Sequence, residues 1–269
     1  MNKSAIFAAL GVLAVGDVMA QGDLRTAASQ EIGITLADYK YKEPGLMDNK
    51  ATKWGLDLAM TDKINDAWFA RGELRYENGK SDYSGTGAKP NNPDWYYELR
   101  ALAGQDIQME GYVLAPYIGL GYRYLFNDMR GTSSTGAAGY RRENTLYYLP
   151  IGVTHRMSLS DGARLSTVIE YNHLLHGRQE TKLSDLVGYN GVTSLGDASN
   201  KQTKGYGFKL SAMYETGNWI AGPTVRYWKI DKSENATVFG VVSGVPVTGT
   251  VREPKNDTTE IDVRVGYKF

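Results

Sequence analysis

The last eleven residues, 259–269, alternate between polar and apolar side chains up to the final aromatic, with Gly266 the one residue bearing no side chain. Successive side chains of an extended strand point to opposite faces, so Ile261, Val263, Val265, Tyr267 and Phe269 form one apolar face. Glu260, Asp262, Arg264 and Lys268 form the other, which needs water or counter-charges. One such strand fits a soluble sandwich with its apolar face inward. It fits equally a closed sheet whose apolar face meets lipid and whose charged face lines a lumen.

The opposite end favours the second arrangement. Residues 1–20 carry one early cation, Lys3, an apolar run from Ala5 to Val15, and Val18-Met19-Ala20 before a small-residue cleavage position. The run is too short to span a bilayer, so residues 1–20 read as an export signal and 21–269 as the mature domain. Removing Lys3 and Asp17 leaves the net charge at zero, which excludes a global field for recruiting nucleic acid. No later window approaches the apolar length of a helical span. The chain has 19 Tyr, 5 Trp and 31 Gly, which suit interfacial aromatic girdles and close packing in a narrow lumen. With no cysteine, an exported fold must close by strand pairing.

Ten segments have the length of a tilted membrane strand, near 29–42, 50–61, 66–78, 94–105, 112–126, 144–157, 163–176, 203–215, 219–231 and 257–269. Short connections (61–65, 106–111, 158–162, 216–218) alternate with longer ones rich in Gly, Ser, Asn and Pro (43–49, 79–93, 127–143, 177–202, 232–255). This is the asymmetry of periplasmic turns and external loops, and it predicts an all-β, up-and-down antiparallel transmembrane β-barrel of ten strands, with eight or twelve as alternatives. Pro116, Pro150 and Pro223 fall inside predicted strands and point to bulges or bends there. Phe269 on the apolar face, with Tyr267 before it, resembles the C-terminal signature of bacterial outer-membrane β-barrels. That resemblance implies recognition by the barrel assembly machinery and residence among outer-membrane lipids and lipopolysaccharide.

Opposite the apolar runs lie Asp57, Arg71, Glu73, Arg75, Glu77, Glu98, Arg100, Arg123, Arg156, Glu170, Lys209, Arg226, Glu260, Asp262 and Arg264. Eight positive and seven negative groups suggest a salt-bridged interior that fills the lumen, the alternative being a narrow unselective channel. A ten-stranded barrel is also similar in architecture to the omptin surface proteases, whose site pairs an Asp-His with an Asp-Asp couple. Here the positions that would serve His173 and His176 are Tyr171 and Leu174, and Asp82 and Asp94 fall in a predicted loop. The expected protein is therefore non-enzymatic, without cofactor or metal, since His173 and His176 three apart on a regular strand face opposite sides. His155 reads as an interface residue. Among the loops, Arg130, Arg141 and Arg142 form a candidate cluster for lipopolysaccharide phosphates. Residues 236–251 read as an apolar hairpin turning at Ser243-Gly244 and prolonging the last two strands outward.

Overall fold

The computed structural model describes residues 24–269; the segment 1–20, expected from the sequence to be an export signal, lies outside them. Fifteen strands appear in chain order: β1 Ser29–Glu43, β2 Met47–Lys63, β3 Trp68–Gly85, β4 Gly87–Gln105, β5 Ile107–Gln108, β6 Tyr112–Thr132, β7 Ala138–Ser158 and β8 Arg164–Thr181. They continue with β9 Val192–Leu195, β10 Ala198–Gln202, β11 Gly205–Thr216, β12 Trp219–Ile230, β13 Ala236–Val242, β14 Val245–Val251 and β15 Asn256–Lys268. Ten of them, β1, β2, β3, β4, β6, β7, β8, β11, β12 and β15, pair antiparallel around a ring that β15 closes against β1. Each predicted strand is present. Closure leaves no free edge, which is the condition for a sheet to sit in lipid.

The sequence pattern dictates which way each strand faces. Ile34, Leu36, Trp54, Met60, Leu120, Ile169 and Val263 stand exposed on the outer wall, while Glu31, Thr35, Lys53, Glu77, Glu260 and Asp262 are buried inside it. The outer wall carries a band of touching rings, Trp54, Tyr76, Trp95, Tyr97, Tyr122, Tyr124 and Tyr147, where an aromatic girdle belongs.

The structure corrects the sequence reading in several places. Segments 79–93 and 127–143 are not loops, because the hairpins β3–β4 and β6–β7 run on until they turn at Thr86 and 133–137. The prolines produce no register shift. Around Pro150 and Pro223 the pairing lapses for two positions and resumes in the same register. Pro116 faces the place where β4 gives way to β5. The hairpin β13–β14 turns at Ser243 and Gly244, both with positive φ, as a two-residue turn requires. It does not prolong the barrel strands but forms a separate three-stranded sheet with β9.

Register shifts lie near Ser81, Asp128 and Val241, and one more, beside the histidines, lies where Tyr147 pairs His176 and Tyr148 pairs Leu174, skipping Leu175. Asn172 and Leu174 point inward before it, Gly177 and Gln179 after it. The extra residue places His173 and His176 on the same outward face, contrary to the regular-strand expectation.

Candidate functional site: the charged lumen

A ten-stranded barrel is little wider than an eight-stranded one, whose side chains just fill it. The wall therefore decides how much room is left, and glycine makes room for large inward groups. A Cβ on Gly55 would lie 2.3 Å from both Glu77 Oε1 and Thr35 Oγ1. One on Gly152 would lie 2.5 Å from the Tyr117 hydroxyl.

Across the middle of the lumen, Arg75 is the hub. Its Nη2 lies 2.5 Å from Glu77, 3.0 Å from Glu260 and 3.2 Å from Asp262, and its Nε donates to the Tyr96 hydroxyl at 3.0 Å. Tyr96 in turn donates to Glu260 at 2.8 Å. Arg226 grips the same two carboxylates from the β12 side, and Arg123 stacks 4.2 Å above the Tyr96 ring. Desolvating an ion costs several kcal/mol, which only complete pairing offsets.

Toward the outer end, Lys53 Nζ meets Asp94 at 2.6 Å under the ring of Tyr39, 3.6 Å away. Asp94 is thus a buried strand residue, not a loop residue, while Asp82 at the rim accepts from the Asn91 amide. Leu146, Tyr148, Leu174, Trp228 and Ile230 pack beside this layer as an apolar cluster. Toward the end bearing the short turns, Arg71 binds Glu31 and Glu73 at 2.8 Å each, and Arg264 binds Asp57 at 2.6 Å. Arg100 holds Glu73 at 3.2 Å and also Glu170, which accepts from Tyr117 at 2.6 Å. Tyr148 donates to Glu98 at 2.7 Å, and Arg156 pairs with Asp106 at 2.9 Å.

Every charge predicted for the lumen faces it. Lys209 and Arg123 differ from the other lumen cations, because no described carboxylate reaches contact distance with either; Arg123 has the Tyr96 ring instead. The sequence reading missed Glu31, Lys53, Asp94 and the four buried tyrosines Tyr39, Tyr96, Tyr117 and Tyr148. Their signal was strand parity, since each except Tyr39, which Asp38 and Lys40 flank, neighbours an outward apolar or aromatic residue.

Among the described residues the lumen encloses two cavities of unequal size. A chamber of about 210 Å³ lies between the Arg75 and Arg100 layer and the mouth at the short-turn end, where Thr26 binds Asp106 through its amide and its hydroxyl. A second space of about 40 Å³ lies beyond, among Tyr39, Arg123, Arg142 and Trp228.

Of the arginine trio at the rim, Arg130 and Arg141 lie near one another across the β6–β7 ladder, where Asp128 faces Arg141, but Arg142 turns away from them. Arg142 is buried inside the barrel between Glu43, at 2.8 Å, and Glu253. Arg130 is exposed and binds Asp128 at 2.7 Å. Arg141 holds Asp185, in a short 3₁₀ turn at Leu183–Leu186, through two bonds of 2.9 and 2.8 Å. The Arg141 hydrogen bond keeps the Asp185 carboxyl below its ordinary value, so this tie persists into acid and weakens only as pH falls through that depressed value. At neutral pH, Arg141→Gln is expected to raise chymotryptic cleavage near Tyr189 by roughly 1.4- to 5-fold, the scale of a part-exposed ion pair. Time-course digestion followed by mass spectrometry measures it.

The histidines meet no carboxylate among the described residues. His173 lies 3.4 Å from the Tyr171 hydroxyl, His176 flanks the Tyr147 ring, and His155 flanks Tyr112 on the outer wall.

Residues 5–185, more than half of the chain, match the family model of the outer membrane protein beta-barrel domain. The chain belongs to that family. Its membrane is accordingly the outer membrane, and the end with short turns is the periplasmic one. Among solved structures, the outer membrane protease OmpT from Escherichia coli is similar in fold, with a TM-score of 0.60 at 13% identity, covering 90% of this chain and 96% of that one. An outer membrane channel from Pseudomonas putida F1 aligns at 10% identity over 94% of this chain and all (100%) of its own, with a TM-score of 0.43. Ail, the attachment invasion locus protein of Yersinia pestis, aligns at 11% identity over 91% of this chain and 100% of its own, with a TM-score of 0.34. Comparison with curated proteins finds no match.

Proposed function

We propose that this family member is a non-enzymatic, closed barrel that serves as an outer-membrane scaffold and meets its partners through its external end. The observation that carries this reading is the paired layer of Arg75, Glu77, Tyr96, Arg226, Glu260 and Asp262, which lies across the lumen and divides it into two unequal cavities. Ions crossing it would have to break buried charge pairs. An omptin-like reaction finds no support in the histidines, which face outward away from the lumen carboxylates. In this reading Tyr267 and Phe269, whose rings touch on the outer wall, are the contact for the barrel assembly machinery. Lipopolysaccharide surrounds the rim, where Arg130 and Arg141 remain its accessible cations. The external sheet β9-β13-β14 exposes Phe239, Val245 and Val247 and offers an apolar surface for a partner.

The refolded mature protein, its folding checked by heat-modifiable gel mobility, is expected to remain silent in planar bilayers. Steady, reproducible single-channel openings would overturn the closed-scaffold reading and make the protein a small pore.

A further inference from the structure

The periplasmic chamber is built with more positive than negative charge on its surface. Cationic side chains lining it outnumber acidic ones nine to five, because several carboxylates that complete the pairing, such as Glu260 and Asp262, are not among its lining residues. One cation of its lining, Lys209, lacks a carboxylate in contact among the described residues. Lys209 sits directly opposite Arg226 in the β11–β12 ladder, a like-charge pair in which Glu260 and Asp262 hold Arg226 and leave Lys209 without a carboxylate in contact. Its neighbour on β8 is Glu170, but Arg100, Tyr117 and Asn172 already occupy that carboxylate. Glu73, also within electrostatic range of Lys209, is held by Arg71 and Arg100.

We propose that the chamber binds a small oxyanion, a phosphate or a short carboxylate, at Lys209, with Arg226 adding its field. Such an anion accepts a hydrogen bond from the Lys209 ammonium and supplies the negative charge that this group lacks. The chamber is large enough, and its mouth is hydrated, since the Arg164 and Lys268 side chains stay 22% and 23% exposed. A cleft with low-dielectric walls concentrates ions of opposite sign.

Calorimetric titration of the refolded mature barrel in detergent, with sodium phosphate and separately with sodium succinate at constant ionic strength, tests this. Saturable binding is expected, weakened by about tenfold or more in Lys209→Gln, as loss of a charge-assisted bond requires. Saturation by phosphate alone, or by succinate alone, identifies which oxyanion the site takes. No saturable heat with either anion, or equal affinity in Lys209→Gln, would overturn the proposal. Independently of that variant's folding, phosphate or succinate should slow acylation of Lys209 in the unmodified sequence more than that of Lys268, read by peptide mass spectrometry. Equal rates with and without both anions would also overturn it.

Discussion

Replacing Arg75 with alanine is expected to destabilise the folded barrel by about 3–5 kcal/mol, the cost of leaving buried charge without its partner. Among the described residues Arg75 is the one cation that reaches Glu77, and it shares Glu260 and Asp262 with Arg226. Glu77 would keep only the Thr35 hydroxyl, at 2.5 Å, while one of its carboxylate oxygens already lacks a partner. Urea unfolding in phospholipid vesicles measures the change. An unmoved midpoint would mean that water already solvates these charges, and the lumen would then be an open aqueous channel.

Substitution of Gly121 by valine should be comparably severe. The Tyr148 ring lies flat over Gly121, so that a Cβ there would stand 2.1 Å from the ring carbon bearing the hydroxyl. Tyr148 cannot withdraw without abandoning its bond to Glu98 and its edge contact with Trp228, at 5.0 Å between ring centroids. Overpacking of this kind costs about 1–3 kcal/mol, and the lost bond adds roughly 1–3 more where Glu98 is left unsatisfied. Gly121→Val is expected to shift the heat-modifiable band toward the unfolded position at lower temperature. A variant as stable as the parent would show that the Tyr148 ring is free to move and does not belong to the lumen packing.

How much of this was legible follows from where parity holds. In β15 the alternation is perfect, and reading it places Glu260, Asp262 and Arg264 inside without error. The same parity, counted back from Trp54 or Ile32, would have found Lys53 and Glu31. The tyrosines were harder, since an abundant aromatic in a barrel suggests the interface, yet Tyr39, Tyr96, Tyr117 and Tyr148 spend their hydroxyls or rings on lumen charges. The bulge at Leu175 left no mark in composition, because backbone pairing is indifferent to which side chain is skipped. Segments 79–93 and 127–143 read as loops for the same reason: above the lipid the outward face needs no apolar residues, so alternation disappears while the hydrogen-bonded ladder continues.

That continuation changes what the cell surface encounters. β6 and β7 have 21 residues each. At about 3.3 Å per residue and a tilt near 40°, such a strand stands roughly 50 Å tall, about twice the apolar band of an outer-membrane barrel. Much of the surplus rises outward as a rigid palisade, so sugars and proteins near this molecule meet a fixed wall before any mobile tip, and whatever binds there gives up little entropy in ordering it.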